Sequence, residues 1–158
     1  MKKKILFVCH GNICRSPMAE FIMKKMVKDA NREAEFEIDS AATSTEEEGN
    51  DIYPRAKSCL RTHNIPFTHR EARQITHADY DYYDHIYLMD NNNYAWISHL
   101  MPDLVWRTAS GWADRDGKIS LLMELTGNAR DVADPWYTGN FEITYHDILH
   151  ALSHLLAE

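Results

Sequence analysis

The segment Cys9-His10-Gly11-Asn12-Ile13-Cys14-Arg15-Ser16 sets a thiol and a guanidinium five residues apart around a glycine. A short loop of this kind between a strand and a helix turns successive backbone N–H groups inward. It forms an anion-binding nest backed by the positive end of the helix dipole. Gly11 and Asn12 are residue types that tolerate the left-handed backbone such a loop calls for. Arg15 offers a planar fork for two phosphoryl oxygens, a geometry that lysine lacks. The same field favours a thiolate at Cys9, which becomes a nucleophile at the centre of a phosphate cradle. An arginine at a helix start opposes the dipole, so its presence there needs a reason.

A thiolate that attacks phosphorus expels an alkoxide or phenoxide, and an acid protonating the leaving oxygen contributes about 10²–10⁴ in rate. The only Asp-Pro in the chain is Asp134-Pro135, followed by Trp136-Tyr137. The proline holds Asp134 extended and presents its carboxyl from a fixed loop. The two aromatic side chains suit the walls of a slot for a phenyl ring.

The elements that must position these groups are legible in outline. Ile5-Leu6-Phe7-Val8 reads as a strand buried on both faces, ending at Cys9. Ser16-Pro17 then reads as a helix cap with proline at the first helical position, followed by Met18, Phe21, Ile22 and Met26 at helical spacing. Phe36 to Asp39, His85 to Met89 and Ile119 to Leu122 are further strands, with helices over Pro54 to Arg61 and near Tyr94 to Leu100. Ile148, Leu149, Leu152, Leu155 and Leu156 share one face of a closing helix. Strands alternating with helices predict an α/β fold with a mainly parallel sheet and a ligand site at the carboxyl ends of its strands.

Composition narrows the function classes. The chain has 158 residues and a net charge of −7, with no basic block after residue 4, so a nucleic-acid partner is not expected. No apolar run approaches the roughly 20 residues that span a bilayer, and Lys2-Lys3-Lys4 lacks the h-region of a signal peptide. The expectation is a cytoplasmic protein without a membrane partner. Three cysteines, Cys9, Cys14 and Cys59, are an odd number for a disulfide framework and point to a reactive thiol. His146, His150 and His154 recur every fourth residue on the face opposite the apolar stripe, which reads as solvated and not as a metal site. The run Glu46-Glu47-Glu48 reads as a solvated loop, and Tyr80 to Asp84 as aromatics packed beneath the sheet.

Together these residues resemble the low-molecular-weight protein tyrosine phosphatases. The resemblance runs from Leu6-Phe7-Val8-Cys9 and Gly11 to Glu20 through Asp39-Ser40-Ala41-Ala42, Pro54-Arg55-Ala56, Ala72-Arg73-Gln74 and Met89-Asp90 to Asp134-Pro135. It implies one doubly wound domain over residues 1–158, with a central four-stranded parallel sheet flanked by helices. By that resemblance Cys9 forms a phosphocysteine, Arg15 binds phosphate and its transition state, and Asp134 serves as acid and then as base. His10, Gly11, Asn12, Ile13, Cys14 and Ser16 line the substrate loop, with Ser16 hydrogen-bonding the thiolate. Glu46, Trp136 and Tyr137 form the substrate surround, and Ser40 and His69 support a strained Asn12. Cys14 is implied as a resolving thiol for Cys9 under oxidation. Phosphotyrosine proteins or peptides are the implied partners and phosphate-like oxyanions the implied inhibitors, with no metal or organic cofactor.

The chain departs from the family pattern at His10, Glu46 and Trp136, and by one extra residue between His69 and Ala72-Arg73-Gln74. Three other classes use a similar cradle. An arsenate reductase of this fold needs relay cysteines downstream, and none follows Cys59. A phosphotyrosine-binding regulator needs no acid at Asp134, and a phosphocarrier would not need that residue to activate water.

Overall fold

The computed structural model describes residues 1–158. Strand β1 (Lys3–Cys9) is central, and alternation along it divides the core. Ile5, Phe7 and Cys9 join the cluster on one face, and Leu6 and Val8 join the other. Four parallel strands form the sheet in the order β2 (Phe36–Ala42), β1, β3 (His85–Leu88), β6 (Ile119–Leu121). This is an α/β domain with a four-stranded parallel sheet between helices. The strand order reverses between β1 and β3, where a doubly wound sheet opens a crevice at its carboxyl edge. Cys9 ends β1, and Asp90 follows β3 across that crevice.

Helices α1 (Arg15–Asp29) and α6 (Phe141–Ala157) cover one face together with α2 (Pro54–Thr62). On α6 the buried side chains include Ile148, Leu152 and Leu155, while His146, His150 and His154 are exposed. The other face is covered by α3 (His77–Tyr82) and α4 (Asn91–Leu100). Tyr80 and Tyr83 are buried there with Leu6, Val8 and Ile75, while Tyr82 between them is exposed. A capping box between Thr76 and Asp79 starts α3.

Several boundaries differ from the sequence reading. Helix α1 begins at Arg15 with Cys14 at its N-cap, so neither Ser16 as cap nor Pro17 as first helical residue holds. The Ser16 hydroxyl cannot cap because it is engaged by Cys9 and Asn12. Leu122 begins a 3₁₀ turn instead of closing the strand, and Met89 lies just past β3. An antiparallel hairpin, β4 (Val105–Thr108) and β5 (Gly111–Asp114), gave no clear pattern because most of its side chains are exposed or half-exposed. Asp134 stands at the N-cap of a single-turn helix, α5 (Pro135–Thr138).

Candidate active site

The loop after β1 is built around the sulfur of Cys9. Backbone N–H groups of Asn12 and Ser16 lie 3.3 and 3.4 Å from Sγ. The thiol lies 3.0 Å from Ser16 Oγ, and on ionisation the serine hydroxyl becomes the donor in that contact. The N–H groups of Gly11, Ile13 and Cys14 make no hydrogen bond within the protein, so they are free to meet an anion.

Asn12 holds this curve. Its φ of 59° places a non-glycine residue in the left-handed region, at a cost of about 1–3 kcal/mol unless its surroundings compensate. Side-chain bonds do so. Nδ2 donates to Ser16 Oγ at 2.8 Å and to Ser40 Oγ at 2.9 Å, and Oδ1 accepts from the Arg73 N–H at 3.3 Å. Ser40 in turn donates to Glu20 Oε1 at 2.6 Å, and Arg70 donates to the Asn12 carbonyl. Gly11 is not left-handed, contrary to the sequence expectation. A Cβ there would make ordinary van der Waals contact with the Glu47 side chain, 3.4 Å from its Cγ.

His69 is also corrected. Its ring is largely exposed and pairs with Asp51 at 3.2 Å, so it does not support Asn12. The neighbouring Arg70 takes the inward position, which fits the extra residue before Ala72. The long guanidinium reaches the loop carbonyl from a site where burial lowers its pKa.

The reason for a cation at this helix start is now visible. Arg15 is buried at 3% exposure, with Nη1 donating to Asp90 Oδ2 at 2.7 Å and to the Val132 carbonyl at 2.9 Å. Its Nη2 lies 3.5 Å from Asp134 Oδ2. Burial lowers the guanidinium pKa, but the fields of Cys9, Asp90 and Asp134 outweigh it and leave the pKa raised. Asp90 is a residue whose role the sequence reading missed. The signal was its place after an apolar strand, where α/β sheets collect functional groups.

Asp134 is half-buried, and its other oxygen, Oδ1, accepts the Trp136 N–H at 3.0 Å. Trp136 and Tyr137 stand exposed at the mouth of a cleft of about 150 Å³ that contains Cys9, Arg15 and Asp134. Trp136 packs on Tyr53 with ring centroids 4.8 Å apart. His10 and Glu46 also line the cleft, with His10 Nε2 3.0 Å from Glu46 Oε2 and the His10 ring edge-on to Trp96 at 5.3 Å. Cys14 is buried, and its thiol pKa is raised by that burial and by the fields of Cys9 and Asp134. Cys9, Cys14 and Cys59 are all unpaired.

The family described as low molecular weight phosphotyrosine protein phosphatase matches residues 4–158. The chain belongs to this family. It is 50% identical over 146 residues to the human low molecular weight phosphotyrosine protein phosphatase, covering 90% of this chain and 87% of the human one. Among solved structures it is similar to YfkJ from Bacillus subtilis, with a TM-score of 0.88, 32% identity, and 99% and 94% of the two chains covered. A Drosophila arginine phosphatase superposes with a TM-score of 0.83 at 31% identity, over 99% and 96% of the chains. The two solved structures share the fold described above over nearly their whole length. No helix of the chain is long and apolar enough to cross a membrane.

Proposed function

We propose that this chain hydrolyses phosphotyrosine and small aryl phosphates through a phosphocysteine intermediate. The observation that carries the reading is the convergence of Cys9, Arg15 and Asp134 on one cleft, with free loop N–H groups around the sulfur. The phosphoryl oxygens take the N–H groups of the loop, and Arg15 bridges two of them while Asp90 holds its far side. Cys9 sulfur attacks phosphorus in line as the bond from phosphorus to the phenolic oxygen breaks. Asp134 gives its proton to the leaving oxygen. In the second step the Asp134 carboxylate takes a proton from water, whose oxygen attacks phosphorus and releases inorganic phosphate and the Cys9 thiolate.

Several residues support the two steps. The Ser16 hydroxyl, 3.0 Å from Sγ, stabilises the thiolate both as nucleophile and as leaving group. Ser40 acts at one remove by fixing Asn12. Trp136 and Tyr137 flank the phenyl ring, and His10 and Glu46 line the same cleft. Cys14 adjoins Cys9 in the loop and is the resolving thiol when Cys9 is oxidised to a sulfenic acid, forming a disulfide with loss of water. Three unpaired thiols suit a reducing, cytoplasmic setting, and neither nucleic acid nor membrane enters the reading.

The substrate test compares peptides carrying phosphotyrosine, phosphoserine or phosphoarginine, the last because one similar fold is an arginine phosphatase. Phosphotyrosine turned over at least tenfold faster than both others supports the reading. Equal turnover of phosphoserine, or preference for phosphoarginine, rejects it.

A further inference from the structure

A second group of reactive side chains lies between α2 and α6, outside the phosphate loop. Cys59 and His63 are one helical turn apart at the end of α2, and Glu142 and His146 are one turn apart at the start of α6. His63 Nε2 lies 2.6 Å from Glu142 Oε2, and Cys59 Sγ lies 3.7 Å from Glu142 Oε1. All three ligand atoms fall within 4.8 Å of one another. His146 Nε2 stands 3.8 Å from the same glutamate.

We propose that Cys59, His63 and Glu142 form a binding site for a zinc-class divalent cation, with the fourth position open to a solvent water. Bond lengths of about 2.0–2.3 Å in a tetrahedron put neighbouring ligand atoms roughly 3.3–3.6 Å apart. The sulfur–carboxylate separation is already near that range. His63 holds the other carboxylate oxygen at 2.6 Å, and binding replaces that hydrogen bond by one bond from each residue to the metal. Thiolate and imidazole select zinc or cobalt over magnesium or calcium.

The surroundings favour ordered ligands. The His63 ring stacks on Tyr145 with centroids 3.7 Å apart and planes within 9°, which fixes its orientation. Cys59 is buried, while His63 and Glu142 are partly exposed, so the site opens on one side. Cys59 gives up its thiol proton to solvent when it binds the cation. The cation would tie α2 to α6 at the segment that follows α5. Arg55 of α2 already donates there to the Gly139 carbonyl at 2.8 Å.

Cobalt reports the site directly. In the full chain carrying Cys9→Ser and Cys14→Ser, Cys59 is the remaining thiol, and one equivalent of Co²⁺ should give an intense near-ultraviolet thiolate-to-metal band. Cys59→Ser should abolish that band, and Glu142→Gln or His63→Gln should weaken cobalt binding at least tenfold. A second measurement uses the wild-type chain: Zn²⁺ should raise Tm, and His63→Gln with Glu142→Gln should remove most of that rise while leaving turnover in chelator unchanged. Absence of the band up to millimolar cobalt overturns the proposal. So does a zinc-induced Tm shift indifferent to His63 and Glu142, which would place the ion on Cys9 and Cys14.

Discussion

Arg15 and Asp90 form an ion pair at 2.7 Å across the switch point of the sheet, joining the start of α1 to the end of β3. Both are largely buried, so the pair fixes the guanidinium plane before any phosphate arrives. Asp90 also caps α4, accepting the Asn93 N–H at 2.9 Å through its other oxygen.

Replacing Asp90 separates these roles. Asp90→Ala removes a cap worth about 1 kcal/mol and leaves Arg15 short of a partner, so a Tm loss and a fall of about 100-fold in kcat/KM are expected. Asp90→Asn keeps a capping oxygen but loses the charge. It should recover most of the Tm while kcat/KM stays at least about tenfold down, a deficit of about 1.4 kcal/mol. Thermal melts and aryl phosphate kinetics on the two variants check this.

Asn12 should behave as a strained residue held by its bonds. Asn12→Gly relieves the φ of 59° but deletes the contacts to Ser16 and Ser40, whereas Asn12→Ala loses the contacts and keeps the strain. The alanine variant is therefore expected to be less stable than the glycine variant by about 1 kcal/mol, with both losing most activity. Denaturant unfolding of the pair measures the difference.

Asp51 links the loop before α2 to the Arg70 segment. Burial pushes its pKa upward, but Lys57 at 2.7 Å, the N–H groups of Ile52 and Arg70, and His69 together hold it well below the usual carboxylate range. A depressed folded pKa stabilises the fold above the unfolded value of about 3.9 and loses that contribution as pH falls below it. The Tm gap between wild type and Asp51→Asn should thus be full near pH 6 and shrink below pH 4. A gap that grows with acid would contradict the assignment.

The reaction needs a proton on Asp134 and none on Cys9. Asp134→Ala should accordingly lose about 10²–10⁴ in kcat. The loss should be smaller for para-nitrophenyl phosphate than for phosphotyrosine, because nitrophenolate leaves more easily without a proton. Steady-state kinetics of wild type and Asp134→Ala on both substrates test it.

What the sequence carried depended on burial and local chemistry. β1 and α6 were legible because their apolar positions face a continuous core, and the phosphate loop because its residue types have few other uses. The β4–β5 hairpin was not, since Trp106 and its neighbours lie half in solvent and give no clean alternation. His69 was misplaced because one inserted residue shifts which side chain faces inward, a matter of three-dimensional register. Asp90 and Arg70 escaped because each meets its partner across more than fifty residues of chain.

The phosphoryl group on Cys9 is the central claim, and rapid acid quench of the enzyme during turnover of para-nitrophenyl phosphate, followed by peptide mass spectrometry, tests it most directly. The account predicts a phosphoryl mass on the peptide containing Cys9, absent in Cys9→Ser, which should also be inactive in the presence of chelator. Steady turnover by Cys9→Ser, or a phosphoryl group carried by another residue, would contradict it.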